Sequence, residues 1–263
     1  MKKFNKVMVL SACFFIGFML FSIFFLFSSL QYGDLILEYL FNREIILALW
    51  ISISSSTLVV LITLLFGIPT AWLLAYKEFN YKSFLETLIV DIPHSFPPGV
   101  VGTTYLLMFH PSNLMGRLFE TLGFNLINTF WAMILVKTFI SSPFLVGILT
   151  IKFREIRNSG LEIIAQSLGA SQVKSFKTVA LPLSFKIIVA GSVRCWARAL
   201  GEVAGTIVFA GAIIPGVTQT MPALIVFEAQ ESIEKAMTLA LILAAFSILT
   251  FLTIKILMER REE

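Results

Sequence analysis

Charge is scarce in this chain. Asp, Glu, Lys and Arg make up 14% of its 263 residues, against about 25% in an average soluble domain. That shortage excludes an ordinary water-soluble globule. Cysteine is nearly missing: Cys13 and Cys195 both fall in apolar segments without a Cys-x-x-Cys neighbour, which excludes a disulfide scaffold and leaves no redox or zinc motif. The two histidines, His94 and His110, are too few and too isolated for a metal cluster, so no metal site is expected. The chain also lacks Gly-x-x-x-x-Gly-Lys-Ser/Thr, the loop whose backbone cradles nucleotide phosphates. It is therefore expected neither to hydrolyse ATP by itself nor to bind a cofactor of its own. No catalytic residue and no nucleic-acid partner is assigned.

What is present is hydrocarbon. Apolar residues form 57% of the chain and phenylalanine alone supplies 26. Six apolar stretches, near 7–30, 45–76, 84–109, 127–151, 187–214 and 236–258, approach or exceed the roughly 20 residues a helix needs to cross a bilayer. The fold class expected is an all-α polytopic membrane protein with six transmembrane helices. The second stretch is longer than one crossing and is expected to tilt, or to kink near Gly67 and Pro69. The third is interrupted by Pro93, Pro97 and Pro98, which bend helices by removing N–H donors. The first follows Lys2, Lys3 and Lys6; it is long for a signal peptide and lacks a small-x-small cleavage site, so a retained helix is expected.

Basic residues segregate. Lys2, Lys3, Lys6, Lys77, Lys82, Lys152, Arg154, Arg157, Lys174, Lys177, Lys186, Arg260 and Arg261 fall on one side of the six stretches. Arg43, Arg117 and Lys235 fall on the other, among Asp34, Glu38, Glu44, Glu120, Glu228, Glu231 and Glu234. Thirteen cations against three is the asymmetry that places loops in the cytoplasm. Both termini are then cytoplasmic, in a multi-pass protein of the cell (plasma or inner) membrane, as an even number of crossings requires.

The largest polar piece, residues 152–186, lies on the basic side. Ile156, Ile163, Ile164, Leu168, Val173 and Phe176 recur at roughly helical spacing. Gly169 allows a tight reversal or a close backbone approach. Ser171 is placed to cap a second short helix over 172–179, and Pro182 is expected to stop that helix before the fifth span.

Glu162, Ala165, Gly169, Ala170 and Leu181-Pro182 resemble the EAA loop of the membrane subunits of ABC importers. Ile164 stands where a second alanine is usual. The resemblance implies that Glu162, Ile163, Ile164, Ala165, Leu168, Gly169 and Ala170 form a docking surface for an ATPase, with Ser171 and Pro182 in the link to the fifth span. It continues elsewhere. The segment Asp91-Ile-Pro-His-Ser-Phe-Pro-Pro-Gly-Val-Val-Gly102, the run Arg194-Cys-Trp-Ala-Arg198 with Leu200-Gly201-Glu202, Gly205 and Thr206, and Pro222-Ala-Leu-Ile-Val-Phe-Glu-Ala are similar to permeases for molybdate, tungstate and sulfate. The resemblance implies residues 1–263 as one transmembrane permease domain of type I ABC importer fold. Its implied partners are a second copy of itself, two cytoplasmic ABC ATPase subunits that bind the ATP and Mg, an external substrate-binding protein and the lipid bilayer. Molybdate or tungstate is the cargo implied first; sulfate is the nearest alternative. An ion-coupled secondary carrier is the alternative of another class, since broken helices and internal charges suit one, but it leaves the 162–182 pattern unexplained.

Charges inside spans are costly and mark function or pairing. Arg194, Arg198 and Glu202 follow i, i+4, i+8 spacing, so they are expected on one helix face, with Glu202 neutralising Arg198. Lys137 lies within the fourth span and is expected to pair with Asp91 or with a partner that the sequence does not identify. Together with Pro97 and Pro98 these residues are candidates for a gate or path, or for helix packing. Ser52, Ser54, Ser55, Ser56, Thr57, Thr103, Thr104, Ser141 and Ser142 supply hydroxyls for either role. Gly99, Gly102, Gly205 and Gly211 are expected at close helix contacts.

Overall fold

The computed structural model describes residues 2–28, 36 and 39–259. Of the charges used above for orientation, Asp34, Glu38, Arg260 and Arg261 lie outside the described residues. Every regular element among the described residues is a helix. In chain order they are α1 (Lys2–Ser28), α2 (Arg43–Tyr76), α3 (Lys82–Glu86), a π-helical turn (Thr87–Asp91), α4 (Ile92–Ser95), α5 (Pro98–Phe109) and α6 (Leu114–Thr121). Then come α7 (Phe130–Ser159), α8 (Leu161–Ser167), α9 (Gln172–Ser175), a second π turn (Phe176–Ala180), α10 (Leu181–Leu200), α11 (Ala204–Ala210), α12 (Met221–Glu231) and α13 (Ile233–Glu259).

Among the described residues, five stretches are long and apolar enough to cross a bilayer: Lys6–Phe25, Arg43–Tyr76, Phe130–Ser159, Gln172–Leu200 and Ile233–Ile256. The expected third span is a broken crossing. Phe96 and Pro97 adopt extended ψ values of 127° and 131°, and the chain restarts as α5 at Pro98, where a missing N–H costs nothing. Counting 82–109 as one discontinuous crossing makes six.

Two prolines behave differently from expectation for a shared reason. Pro93 does not interrupt its helix, and Pro182 does not stop the helix ahead of the fifth span. Each follows a π turn that ends in an i→i−5 bond, from Ile92 N to Thr87 O and from Leu181 N to Phe176 O. The wider turn takes up the missing donor and the ring clash a proline imposes, so the helix runs on. Conversely, the expected fifth span, 187–214, is broken where no proline stands. Helix α10 ends at Leu200, and α11 starts at Ala204.

Helix α7 is the central element, with α2, α10 and α11 packed around it. Its caps follow from sequence: Thr129 accepts from Ala132 N at 3.2 Å, and Gly160 ends it at φ 75°. Glycines let the helices close. A Cβ on Gly67 would meet Val146 Cγ2 at 2.9 Å, and one on Gly191 would meet Leu145 Cδ1 at 2.6 Å. Helices α12 and α13 pack near the start of α2 through Ile45, Ala48, Met221, Leu224, Leu239 and Ile242. The Ser52 hydroxyl accepts from Met221 N at 2.8 Å, which ties α12 to α2. The Lys6–Phe25 stretch of α1 is apolar all round and buries nothing against the rest of the chain.

Candidate functional site

At the end of the molecule that carries the clustered cations, short helix α8 hangs from α7 by Gly160. Leu161, Ile163, Ile164 and Leu168 are exposed at 44%, 65%, 59% and 85%. Apolar side chains so exposed on a polar segment form a contact surface. Gly169 has φ 91°, and a Cβ there would meet nothing within 4 Å. The reversal, rather than a close approach within the chain, is what calls for glycine. Ala170 follows it, half-buried as is Ala165. The Ser171 hydroxyl accepts from Lys174 N at 3.3 Å and caps α9, as its sequence position suggests. Pro182 is exposed in the first turn of α10.

Glu162 does not join this surface. It is 7% exposed, with one carboxylate oxygen buried and unbonded. It faces Tyr76 at the end of α2, whose hydroxyl also lacks a bond of good geometry. Both border a cavity of about 180 Å³ shared with Trp72, Arg157 and Gln172. The Glu162 carbonyl accepts from the buried Ser175 hydroxyl at 3.2 Å. Glu162 thus turns inward toward Tyr76 because α8 packs back on α9 and the second π turn, while the isoleucines beside it turn out.

The base of α8 is clasped to α2. Arg157 Nη1 donates to Ala75 O at 2.9 Å and to Glu78 Oε1 at 2.7 Å. Arg154 bonds Glu86 and reaches Leu74 O at 3.5 Å, and Lys82 pairs with Glu78 at 3.0 Å. Two guanidiniums on the terminal carbonyls of α2 meet the negative end of its dipole. The hydrogen bond from Arg157, then that from Lys82, holds the Glu78 carboxyl below the usual glutamate range. Sequence reasoning missed Tyr76, Glu78 and Arg157. Their roles depend on α2 projecting to meet α7, which residue order does not display.

A second cluster lies inside the spans. Lys137 is fully buried and donates from Nζ to Ser55 Oγ at 2.8 Å. Its acidic neighbour is Glu202, which acts on it electrostatically. Asp91 is exposed on another element, so the expected Lys137–Asp91 pair is not formed. Glu202 is 1% exposed. It lies beyond the end of α10 rather than on one face with Arg194 and Arg198, because the helix stops at Leu200. Arg198 Nη1 still reaches Glu202 Oε2 at 3.1 Å, and Gly205 N donates to Glu202 Oε1 at 2.8 Å. The carboxylate closes the break by capping the next helix. Arg194 is exposed and outside the cluster.

The two helix breaks meet here. A Cβ on Gly102 would lie 2.5 Å from Gly205 O, and one on Gly205 would lie 2.7 Å from Pro98 O. Helices α5 and α11 therefore touch backbone to backbone behind Pro97 and Pro98. Gly99 has open space, whereas Gly211 combines φ 73° with a close approach: a Cβ there would lie 2.8 Å from Asn128 Oδ1. The hydroxyls offered for a path divide: Ser52, Ser55, Ser56 and Ser141 are fully buried in packing, whereas Thr103 and Thr104 are exposed and bond to Gly99 O and Val100 O of their own helix.

Comparison with known proteins places this geometry. Residues 65–262 match the family described as "Binding-protein-dependent transport system inner membrane component". The chain is 30% identical over 236 residues to the "Probable transport system permease protein NifC" of Clostridium pasteurianum, covering 89% of this chain and 82% of that one. It is 30% identical over 177 residues to the "Molybdate/tungstate transport system permease protein WtpB" of Thermococcus kodakarensis, covering 67% and 66%. In three dimensions it is similar to a chain of a bacterial ABC transporter involved in the import of the acidic polysaccharide alginate, with a TM-score of 0.68, 18% identity and coverage of 95% and 96%. That likeness establishes the fold, an all-α permease fold of ABC importer type.

Proposed function

Because the chain belongs to the family of binding-protein-dependent transport system inner membrane components, we propose that it is the permease subunit of an ATP-driven importer for molybdate or tungstate. The name of the Thermococcus kodakarensis relative and the oxyanion-type segments at Asp91–Gly102 and Arg194–Thr206 support that cargo. Two copies form the path, two cytoplasmic ATPase subunits hold the ATP and Mg, and an external binding protein delivers the anion. Both termini and α8 face the cytoplasm, in keeping with the charge asymmetry. The chain carries no ATPase chemistry of its own.

The observation that carries this reading is α8: four exposed apolar side chains, Leu161, Ile163, Ile164 and Leu168, on a helix clasped to the transmembrane core. Burial of such anchors in a partner's groove supplies the binding energy. ATP draws the two ATPases together and moves α8. The Arg157 and Arg154 contacts pass that motion to α2, and the continuous run from α9 through the π turn to α10 passes it toward the Gly201–Val203 break. The path opens outward, receives the anion and resets on hydrolysis.

The test is to express the chain with its cognate ATPase and binding protein, then replace Leu168 by Asp. Binding of the ATPase and coupled molybdate uptake both fall by about tenfold or more, since removing a buried anchor costs over 1 kcal/mol. The permease alone keeps its thermal stability, because Leu168 touches little within the chain. Unchanged ATPase binding sinks the docking role of α8.

A further inference from the structure

We infer that Lys137 is a positioning residue: a buried counter-charge that holds Glu202, and with it the α10–α11 break, in place, and not a contact for the transported anion. The inference rests on the permease reading above.

Four elements converge on this point. Lys137 comes from α7, its hydroxyl partner Ser55 from α2, Arg198 from α10 and the Gly205 N–H from α11. Lys137 has no exposed surface, so an anion passing along any open face does not reach it. Val136, next to Lys137, and Glu202 both crowd Gly205: a Cβ there would lie 2.6 Å from Val136 Cγ1 and 3.2 Å from Glu202 Oε1. The turn of α7 that bears the ammonium is thereby set against the carboxylate.

Glu202 spends both oxygens inside the chain, one on Arg198 and one on Gly205. Arg198 is 31% exposed and shares its charge with its surroundings. Lys137, fully buried, is a second cation that acts on Glu202 electrostatically. A charge in such surroundings is tolerated only when paired, and a dianion brought to Lys137 would face Glu202 at once. The break matters because Gly205 is in backbone contact with α5 through Gly102 and Pro98. Holding Glu202 therefore registers both broken helices against α7.

The experiment uses the full complex with its ATPase and binding protein, and compares Lys137→Gln, Glu202→Gln and the double variant. Thermal unfolding of the detergent-purified complex is followed together with molybdate moved per ATP hydrolysed in proteoliposomes, well below the melting temperature. Lys137→Gln is expected to lower molybdate per ATP by about tenfold, and adding Glu202→Gln to restore most of it, with non-additive melting shifts. A double variant no better than Lys137→Gln assigns Lys137 to the anion and overturns the inference. Unchanged molybdate per ATP in Lys137→Gln, with only its stability lowered, also overturns it. If Lys137→Gln fails to assemble, rescue of assembly by Glu202→Gln supports the pair, and no rescue overturns it. If the wild-type complex hydrolyses ATP but moves no molybdate, the cargo reading fails. The melting cycle then still decides the pair, and additive shifts reject it.

Discussion

Gly102 and Gly205 mark a contact that no side chain mediates. A methyl on Gly102 would press on the carbonyl oxygen and Cα of Gly205 at 2.5 and 2.8 Å. These are backbone atoms, which cannot swing aside. Gly102→Ala is expected to destabilise the permease by about 1–3 kcal/mol, the usual cost of overpacking. Gly99→Ala, facing open space on the same helix, is expected to melt like wild type; equal melting of the two variants would refute the contact. Gly169 behaves otherwise. Its surroundings are empty but its φ is 91°, so Gly169→Ala strains the backbone by about 1 kcal/mol and Gly169→Asn by less. Weaker ATPase binding by the alanine than by the asparagine variant checks this. Both glycines stand out in the sequence, but only geometry separates the one that is close from the one that is bent. Glu162 is a similar case. Its place in the motif points to a docking role, yet the fold turns its carboxylate inward to Tyr76, because α8 packs back on α9 and the second π turn.

Among elements, the clasp between α2 and α7 turns α8 into a lever rather than a floppy loop. Glu78 sits at its centre, bonded by Arg157 at 2.7 Å and Lys82 at 3.0 Å. Its carboxyl is held below the ordinary range, so it binds fewer protons folded than unfolded at mildly acid pH. Its contribution is therefore full above the ordinary glutamate range and is lost as pH falls through the lowered value. Amide protection over 77–86, taken relative to the intrinsic exchange rate at each pH, should fall on acidification in the wild type and be low at every pH in Glu78→Gln. A Glu78→Gln variant that keeps the wild-type pH response would remove Glu78 from the clasp. The long helices themselves were legible as apolar runs. Their interruptions were legible only in part. Pro97 and Pro98 announce a break and make one, but Pro93 and Pro182 lie inside helical runs, because a π turn ahead of each supplies the room. The break after Leu200 has no proline to announce it; Glu202 caps Gly205 across the gap and so leaves the face that its i, i+4, i+8 spacing assigns it.

At the scale of the molecule, the count of crossings could be argued from apolar runs and their orientation from charge, while the partner surfaces could not. Helix α1 shows why. It is apolar on every side, and none of its 6–25 stretch is buried by the rest of the chain. A helix apolar all round faces lipid or other helices, and composition does not say which. The two broken crossings, 82–109 and 181–210, give the sharper argument for a second copy. Breaks at membrane depth are tolerated where protein or a cavity surrounds them. Here Thr103, Thr104 and Arg194 are exposed beside them, polar groups that a second copy would cover. We therefore expect the detergent-purified permease to have a protein mass twice the 29.4 kDa of one chain by light scattering, with one kind of membrane subunit in the complex with its ATPase. Cys13 on α1 is exposed while Cys195 is buried, so a maleimide dye should label Cys13 alone. Its emission should then show transfer between two copies, and lose it when unlabelled chain is co-expressed in excess. A mass of one chain in a complex that still binds ATPase and takes up molybdate would rule out the dimer and require the path to lie within a single copy.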